Sequence, residues 1–354
     1  MIAAHLPLQR PPQAKILVVD RQGDIWHWAR SRFVDLFRPG DLVIANDAAT
    51  LPASITGTHE RTGRPIEVRL AGRRSLAPDG ISRCTAVVFG AGDFRIPTEQ
   101  RPLPPDLAIG DRLALGPLRA TVEEMLGHAR LVRIEFDGSL DEIWEGLARH
   151  GRPIQYSHVR TSLAVWDVWT PIAGLPAAFE PPSAGFAFDW NSLACLKERG
   201  INFATITHAA GISSTGDAEL DAHLPFDEPY RIPSETAAAI GRTRARGGRV
   251  IAVGTTVVRA LEHAARCGNV RPGEGLATQR IGASTRLHIV DAILSGTHEP
   301  GSSHYELLQA FAEDAVLRRV THELDSSGYR THEFGDSVMI ERGIVSASKR
   351  NSIC

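Results

Sequence analysis

Residues 250–256 read VIAVGTT and continue into VVRALE at residues 257–262. Four consecutive apolar residues followed by a glycine predict a strand that is buried on both faces, and the residues after it predict a helix. In open α/β sheets, ligands bind at the carboxyl ends of strands, where a small residue admits the ligand and a helix N-terminus offers free N–H groups. The stretch therefore predicts an α/β fold with a ligand site at Gly254, Thr255 and Thr256. The structural alternative is that Gly254 is a tight connector and that one threonine only caps the helix.

Strands and helices alternate through the rest of the second half of the chain. Asp189 is placed to cap a helix that extends to about residue 199. The spacing from Ser303 to Glu306 is that of a capping box and predicts a helix that continues to about Leu324. Alternation of this kind predicts a mainly parallel sheet with covering helices.

Between residues 56 and 137 the sequence has a different texture. Short strand-like runs, such as IEVRL at 66–70, alternate with turns that contain Gly or Pro. Many short strands separated by turns favour a small β-barrel or sandwich. We therefore expect a small β-barrel or sandwich module at 56–137, an α/β domain formed by 1–55 and 138–345, and a frayed polar tail at 346–354.

The composition is ordinary for a globular protein, with 43% hydrophobic and 23% charged residues among 354. The formal net charge of -2 gives no global basic field that would attract nucleic acid. Apolar runs are too short for a membrane span and no secretory signal is visible, so we expect a cytoplasmic protein with no membrane partner. The four cysteines form no CxxC pair, and no bound metal is predicted. The absence of a P-loop, GxGxxG, HExxH or nucleophile elbow argues against phosphoryl transfer, Rossmann dinucleotide binding and zinc hydrolysis.

Three further segments place polar or aromatic residues where a ligand could bind. His208 follows a strand-like run and precedes a small-residue turn at Gly211, which makes it a candidate general base, and a hydrogen-bonded structural role is the alternative. The segment PPSAGFAF at 181–188 is a stiff turn whose aromatic residues could stack on an adenine or cap the core. The segment HEPGSS at 298–303 leads into a helix N-terminus, which suits a polar ligand but also an ordinary helix cap.

Taken in order along the chain, these segments resemble the S-adenosylmethionine:tRNA ribosyltransferase-isomerase family of queuosine biosynthesis. The segment at 182–188 stands where the family has Pro-Thr-Ala-Gly-Leu-His-Phe, and residues 249–262 match the family's strand, turn and helix almost position for position. The resemblance extends over nearly the whole chain and implies a discontinuous α/β catalytic domain at 1–55 and 138–345 with a small β-barrel domain inserted at 56–137. Its other landmarks are FVDL at 33–36, RPGDLV at 38–43, Asn46, Asp47, the segment at 207–211, Asp291, His298, Pro300 and Ser302.

The resemblance implies that S-adenosylmethionine is a co-substrate that donates its ribosyl group to a deazaguanine base in tRNA, with release of adenine and methionine. In this chemistry a base removes a proton from the ribose carbon next to the sulfonium, adenine leaves, and the amine of the acceptor attacks the rearranged sugar. We expect His208 or His298 to transfer the proton and Asp291 to orient a histidine. The residues expected to bind substrate are Asp47, Ser183, Gly185, Phe186, Phe188, Gly211, Gly254, Thr255, Thr256, Arg259 and Ser302.

The chain departs from the family at positions that carry positive charge there. The family's Asn-Asp-Thr-Lys segment ends here in Ala48 and Ala49, and Ser54 replaces an arginine. The loop that contains His298 has lost a lysine and gained Glu299. Because cationic side chains supply most phosphate binding, two alternatives to a tRNA-modifying enzyme stay open. One is a paralogue that consumes S-adenosylmethionine with a non-tRNA small-molecule acceptor, as a transferase, lyase or isomerase. The other is a non-catalytic binding protein with the same fold, and the sequence leaves the oligomeric state open in each case.

Overall fold

The computed structural model describes residues 1–343, so the predicted tail at 346–354 lies outside the described residues. Strands are the main regular elements of the first 136 residues, and strands alternate with helices after that point. The strands are β1 (Ile2–Ala3), β2 (Lys15–Val19), β3 (Ile25–Ala29), β4 (Leu42–Asn46), β5 (Ala49–Thr50), β6 (Ser54–His59), β7 (Arg64–Gly72), β8 (Arg83–Phe89), β9 (Arg112–Leu115), β10 (Leu118–His128), β11 (Leu131–Phe136), β12 (Pro176–Ala178), β13 (Asn202–His208), β14 (Glu228–Ile232), β15 (Val250–Val253), β16 (Gly273–Ala277), β17 (Ala292–Gly296), β18 (Arg330–Thr331) and β19 (Ser337–Glu341).

Several of the helices begin next to a residue whose side chain caps them. Asp189 caps the second helix as predicted, because its carboxylate accepts a hydrogen bond from the backbone N–H of Ser192 at 2.6 Å. Within residues 1–343, no helix is both long and apolar enough to cross a membrane. The α-helices are α1 (Leu140–His150), α2 (Trp190–Glu198), α3 (Ala218–Asp221), α4 (Ser234–Ala245), α5 (Thr255–Ala264), α6 (Ser303–Leu308) and α7 (Asp314–Ser326), and short 3₁₀ turns cover Arg30–Leu36, Pro78–Ile81, Thr98–Gln100, Val165–Asp167 and Ser183–Ala187.

The large sheet has the strand order β16-β14-β13-β4-β15-β17-β19-β2-β3. Its central strands β13, β4, β15 and β17 are parallel, and every residue of β4 and β15 is buried, as expected for strands covered on both faces. The flanking pairs are antiparallel apart from β19 and β2. The predicted α/β fold with covering helices is confirmed, but the sheet is parallel only at its centre and mixed as a whole. The reason is that short connections, such as the turn between β2 and β3, reverse the chain and pair its strands antiparallel.

A closed barrel with the strand order β10-β11-β8-β7-β6-β9 precedes the helical part of the chain. Apolar side chains fill its interior, among them Val68 and Ile134, which are fully buried. Closure leaves no unpaired edge strand to solvent. The predicted barrel is confirmed, and the assignment of 56–137 to one domain and of 1–55 and 138–345 to another stays a prediction.

The predicted helix from Ser303 to Leu324 is wrong, because the chain forms α6 and α7 with a break between them. Phe311 lies in the break, where its side chain is buried in the core and its carbonyl accepts a hydrogen bond from the N–H of Gly343 at 2.9 Å. These long-range contacts outweigh the local preference for one continuous helix. Ser302 rather than Ser303 caps α6.

Candidate active site

A cavity opens at the carboxyl edge of the large sheet, where β13, β15 and β17 end and α5 and α6 begin. It encloses about 810 Å³ of space, part of it open to solvent. Its position at the carboxyl ends of the parallel strands is where small molecules and cofactors bind in α/β sheets. Its polar lining residues are Glu180, Ser183, Ser213, Glu228, Thr255, Thr256, Arg259, Arg280, Ser295, His298, Ser303 and His304.

The turn between β15 and α5 forms one part of the cavity wall. Gly254 has a φ of 98°, a left-handed conformation that favours glycine, and its N–H donates to the carbonyl of Leu294 at 2.8 Å. Gly254 also occupies the N-cap position, so Thr255 and Thr256 lie inside the first turn of α5 and neither is the cap. The first turn therefore presents backbone N–H groups and the positive end of the helix dipole at the cavity. This geometry favours a ligand site over the capping alternative.

A buried ion pair between Glu228 of β14 and Arg259 of α5 forms another part of the wall. Glu228 also accepts a hydrogen bond from the backbone N–H of Gly211 at 2.7 Å, and its second oxygen lies 3.0 Å from Nε2 of His208. Burial opposes ionisation, but the charge of Arg259 and the contacts with His208 and Gly211 outweigh it and lower the pKa of Glu228 to about 2. Glu228 is therefore a fixed carboxylate that holds a guanidinium and an imidazole beside the cavity.

His208 is enclosed by its own hydrogen-bonding partners. The residue is fully buried and does not contribute to the cavity wall. Its Nδ1 lies 2.6 Å from the carbonyl oxygen of Thr256, and its Nε2 faces Glu228. Because both nitrogens face acceptor atoms of the protein, the geometry suits a residue that positions α5 and Glu228 better than it suits a general base.

Two stacked histidines line the side of the cavity formed by β17 and α6. The rings of His298 and His304 have centroids 4.5 Å apart and planes inclined by 14°. Nε2 of His298 lies 3.1 Å from Oγ of Ser295. Burial, followed by the nearby rings of His304 and His332, holds the pKa of His298 well below its ordinary value, and burial also lowers the pKa of His304. Both rings are therefore neutral at pH 7, and a neutral imidazole keeps a lone pair that can accept a proton.

Comparisons with known proteins agree on one family. Residues 1–340 match the family model described as queuosine biosynthesis protein. This chain belongs to that family. It is 32% identical over 348 residues to the S-adenosylmethionine:tRNA ribosyltransferase-isomerase of Citrifermentans bemidjiense and 33% identical over 351 residues to that of Trichlorobacter lovleyi, with 96% of both chains covered in each case. The resemblance predicted from the ordered sequence landmarks is confirmed.

A solved structure supports the fold of this queuosine biosynthesis family member. The crystal structure of S-adenosylmethionine tRNA ribosyltransferase from Thermotoga maritima matches with a TM-score of 0.51 and 23% identity, over 96% of each chain. At that identity the likeness concerns the architecture alone, and it extends over both the barrel and the large sheet.

The structure brings a subset of the predicted site residues together at the cavity. They come from four separate parts of the chain and meet because parallel strands end at the same edge of a sheet. Their roles in binding or catalysis stay predictions. The residues are Ser183, Gly211, Gly254, Thr255, Thr256, Arg259 and His298.

The aromatic part of the Pro-Pro-Ser turn lies in the core instead. Phe186 stacks on Phe334 with ring centroids 5.5 Å apart. Phe188 packs edge-on against Phe33, also at 5.5 Å, and Gly185 is buried. The core-capping alternative describes these residues, so substrate binding does not fit the positions of Gly185, Phe186 and Phe188.

Asp291 lies at the opposite edge of the sheet, immediately before β17. Its carboxylate accepts a hydrogen bond from the backbone N–H of Val250 at 2.9 Å and pairs with Arg342 at 3.1 Å. A strand of five residues spans roughly 16 Å, and His298 follows the far end of β17. The expected role of orienting a histidine does not fit the position of Asp291.

Asp47 and Ser302 lie at the carboxyl edge but bond to the protein itself. Asp47 follows β4, and its carboxylate accepts a hydrogen bond from the hydroxyl of Thr207 at 2.7 Å. The hydroxyl of Ser302 accepts one from the N–H of Tyr305 at 3.2 Å, which is the ordinary helix-cap alternative. Neither side chain contributes to the cavity wall.

Sequence reasoning missed several titratable residues of the cavity, in particular Glu180, Glu228 and His304. Glu180 directly precedes the Pro-Pro-Ser turn and His304 lies in the predicted capping box, so both were next to recognised segments. No local pattern marks Glu228, because its partner Arg259 lies 31 residues later in the chain. The described part of the chain contains no group of three or more His, Cys, Asp or Glu side chains arranged to hold a metal ion.

Proposed function

We propose that this chain transfers the ribosyl group of S-adenosylmethionine to a deazaguanine base in tRNA and isomerises it, with release of adenine and methionine, in queuosine biosynthesis. The observation that carries the proposal is the match to relatives named for this activity over 96% of the chain, which includes the barrel and the large sheet. The relatives' name supports this function and neither a small-molecule acceptor nor a purely binding role. A tRNA substrate also agrees with the expected cytoplasmic location.

The cavity offers suitable surfaces for the parts of S-adenosylmethionine. The first turn of α5 presents N–H groups and a positive dipole end, which suit the carboxylate of the methionine portion or the ribose hydroxyls. Ser183 and Ala184 form a wall of small residues next to Gly254, where a flat adenine ring can approach. Arg259 is neutralised by Glu228 and also donates to the backbone carbonyls of Ala277 and Gln279, so it adds no excess positive charge that would repel the sulfonium.

His298 is the predicted base that best fits the cavity. The reaction needs a group to remove a proton from the ribose carbon next to the sulfonium, whose positive charge acidifies that carbon. His298 lines the cavity, and its lowered pKa leaves the ring unprotonated before the reaction begins. Contacts with His304 and Ser295 fix the orientation of the ring.

At the start of β5, Ala49 stands where the family has a lysine, and Ala48 precedes it. Ala48 and Ala49 are buried, and Ala48 belongs to a cluster of apolar residues that includes Ala209 and Ala210. Ala210 lines the cavity. The position of this family lysine is therefore buried here, one residue from a cluster that reaches the cavity.

Turnover assays distinguish the proposed function from its two alternatives. The protein is incubated with S-adenosylmethionine, with and without tRNA that carries the aminomethyl-deazaguanine base, and adenine, methionine and the modified nucleoside are measured by mass spectrometry. We expect release of adenine and methionine only with that tRNA. Release without tRNA would indicate a small-molecule acceptor, and binding of S-adenosylmethionine without any turnover would indicate a binding protein.

Histidine variants test the assignment of the base. His298→Gln should lower the rate of adenine release by about 10²-fold or more, the usual contribution of a general base. His322→Gln is the matched control, because His322 is exposed on α7 far from the cavity wall. Unchanged adenine release after replacement of both His208 and His298 by glutamine would remove histidine from the mechanism.

A further inference from the structure

Glu180 lies in the wall that separates the main cavity from a second, smaller one. It follows β12 and directly precedes the Pro-Pro-Ser turn. The side chain is buried, with 7% of the residue exposed, and contributes to the lining of both cavities. A carboxyl group in this position reaches a ligand in the main cavity while most of its surface stays out of water.

The groups packed against Glu180 fix its orientation. The hydroxyl of Tyr156 donates a hydrogen bond to Oε1 of Glu180. The guanidinium of Arg69, from barrel strand β7, lies 5.7 Å from the centre of the Tyr156 ring. Ser213, in the segment after β13, approaches the carboxyl from the main cavity. Glu180 is therefore held by contacts from the segment after α1 and from the segment after β13.

A second carboxylate faces Glu180 from the smaller cavity. Glu333, between β18 and β19, lies 3.1 Å from Nε2 of His158, and both residues line that cavity. Although burial opposes its ionisation, the contact with His158 keeps the pKa of Glu333 below its ordinary value. Across the main cavity the charged groups are Glu228 and Arg259, which neutralise each other. The negative charge of Glu333 therefore disfavours ionisation of Glu180.

The two carboxyls of the main cavity have opposite environments. Burial above all, with a contribution from the charge of Glu333, raises the pKa of Glu180 to about 7, although Ser213 and Tyr156 partly offset the rise. The pKa of Glu228 is about 2. When the environments of two acidic groups in one site separate their pKa values, the group with the higher value is suited to donate a proton.

We propose that Glu180 is a further catalytic residue, the general acid that protonates adenine as it leaves. The inference rests on the proposed function, in which adenine lies against the Pro-Pro-Ser turn that Glu180 precedes. Because this turn starts one residue after Glu180, the carboxyl group and the adenine ring share the same side of the cavity. His298 lies on a different wall of the cavity, the one formed by β17 and α6. The base and the acid therefore face the ribose from different sides.

The proton transfer balances with the ribosyl chemistry. The base takes a proton from the ribose carbon next to the sulfonium, and the electron pair of that C–H bond stays on the sugar. The bond between the ribose and adenine breaks, and the electron pair of that bond leaves with adenine. The O–H bond of Glu180 breaks as an N–H bond forms on the adenine ring, which leaves neutral adenine and a Glu180 carboxylate. Before the next turnover His298 gives the proton that it accepted to solvent and Glu180 takes one up, so both residues return to their starting states.

Glu180→Gln tests the proposal directly, because glutamine keeps the size of the side chain and an oxygen that accepts from Tyr156 but cannot donate a proton. Adenine release is measured with saturating S-adenosylmethionine and tRNA, and binding of S-adenosylmethionine is measured by calorimetry. We expect kcat to fall by about 10²- to 10⁴-fold, with S-adenosylmethionine binding changed by less than about threefold, since a proton transfer contributes to the rate and little to affinity. The decline of kcat/KM above about pH 7, which reports a required acid, should disappear.

Substitutions of two neighbours of Glu180 should move the decline of kcat/KM at high pH, the alkaline limb of the pH profile, in opposite directions. Tyr156→Phe removes a donor to the Glu180 carboxylate, which favours the protonated acid and shifts the limb to higher pH. Glu333→Gln removes a nearby negative charge, which favours ionisation of Glu180 and shifts the limb to lower pH. Glu145→Gln is the control, because Glu145 is exposed on α1 and pairs with Arg149, so the rate and the profile should stay at the wild-type values.

The outcomes separate this inference from the proposed function. If the wild-type protein releases adenine and Glu180→Gln keeps both the rate and the alkaline limb, the role of Glu180 is wrong and the function stands. A change in KM alone would assign Glu180 to binding and would equally overturn the proposal. If Glu180→Gln does not fold, the alkaline limbs of Tyr156→Phe and Glu333→Gln test the inference instead. Shifts in opposite directions support it, and equal or absent shifts reject it. A wild-type protein that releases no adenine with modified tRNA refutes the function and this inference together.

Discussion

The two edges of the large sheet contain similar charged groups but differ in what surrounds them. At the amino edge, Arg249 pairs with Asp41 and Glu341, and the three side chains are almost enclosed by protein. At the carboxyl edge, Arg259 pairs with Glu228 in the wall of an open cavity. Buried ion pairs therefore occur at a structural junction as well as at a candidate site. The adjoining cavity and the helix N-terminus, not the ion pair, mark the carboxyl edge as functional.

The largest expected effect comes from removing one carboxylate at each edge, with Asp41→Asn and Glu228→Gln as the matched pair. Each substitution leaves a buried arginine less compensated, which should lower the free energy of unfolding by about 3 kcal/mol or more. Only Glu228→Gln should also lower kcat for adenine release, by about tenfold or more, because Arg259 loses the partner that holds it beside the cavity. Urea unfolding and steady-state kinetics measure the two effects, and equal losses of kcat would erase the distinction between the edges.

A slightly smaller effect is expected in the pH dependence of the free energy of unfolding, to which Glu228 at the carboxyl edge should contribute. The pKa of Glu228 is about 2 in the folded protein, against an ordinary value of 4.5. Because the folded value is the lower one, the ionised carboxylate stabilises the fold at neutral pH, by about 3 kcal/mol. This stabilisation should be lost as the pH falls from about 5 towards 2. Urea unfolding at a series of pH values should therefore decline less steeply for Glu228→Gln than for the wild type, and parallel declines would contradict the assignment.

The smallest effect is expected for Asp291→Asn at the amino edge. The amide oxygen of asparagine still accepts a hydrogen bond from Val250, and the lost pair with Arg342 is partly exposed. We expect a change of less than about 1 kcal/mol in the free energy of unfolding and an unchanged rate of adenine release. A large loss of activity would instead connect the amino edge to the chemistry and restore the role first expected for Asp291.

Much of the candidate site follows from local sequence. Four apolar residues, Gly254 and two threonines predict the strand, the left-handed turn and the helix N-terminus, because each depends on residues within a few positions. The barrel is predictable for the same reason, since its strands are short and separated by local turns. The family follows from the order of such segments, which the sequence displays directly.

Other parts of the site required the folded chain. Phe188 and Ser183 belong to one turn, yet one packs against Phe33 and the other lines the cavity. Which side of a turn faces a ligand depends on the elements packed against it, and the sequence does not display them.

The sequence by itself determined the α/β architecture with its barrel, the family and the strand end at which the cavity opens. The tertiary structure alone decided that His208 is enclosed, that Asp291 lies at the far edge and that Glu180 and Glu228 share one cavity with opposite acidities. The physical reason is the range of the forces involved. Strand, turn and helix preferences act between neighbours in sequence, whereas burial and charge act between groups that are close only after the chain has folded.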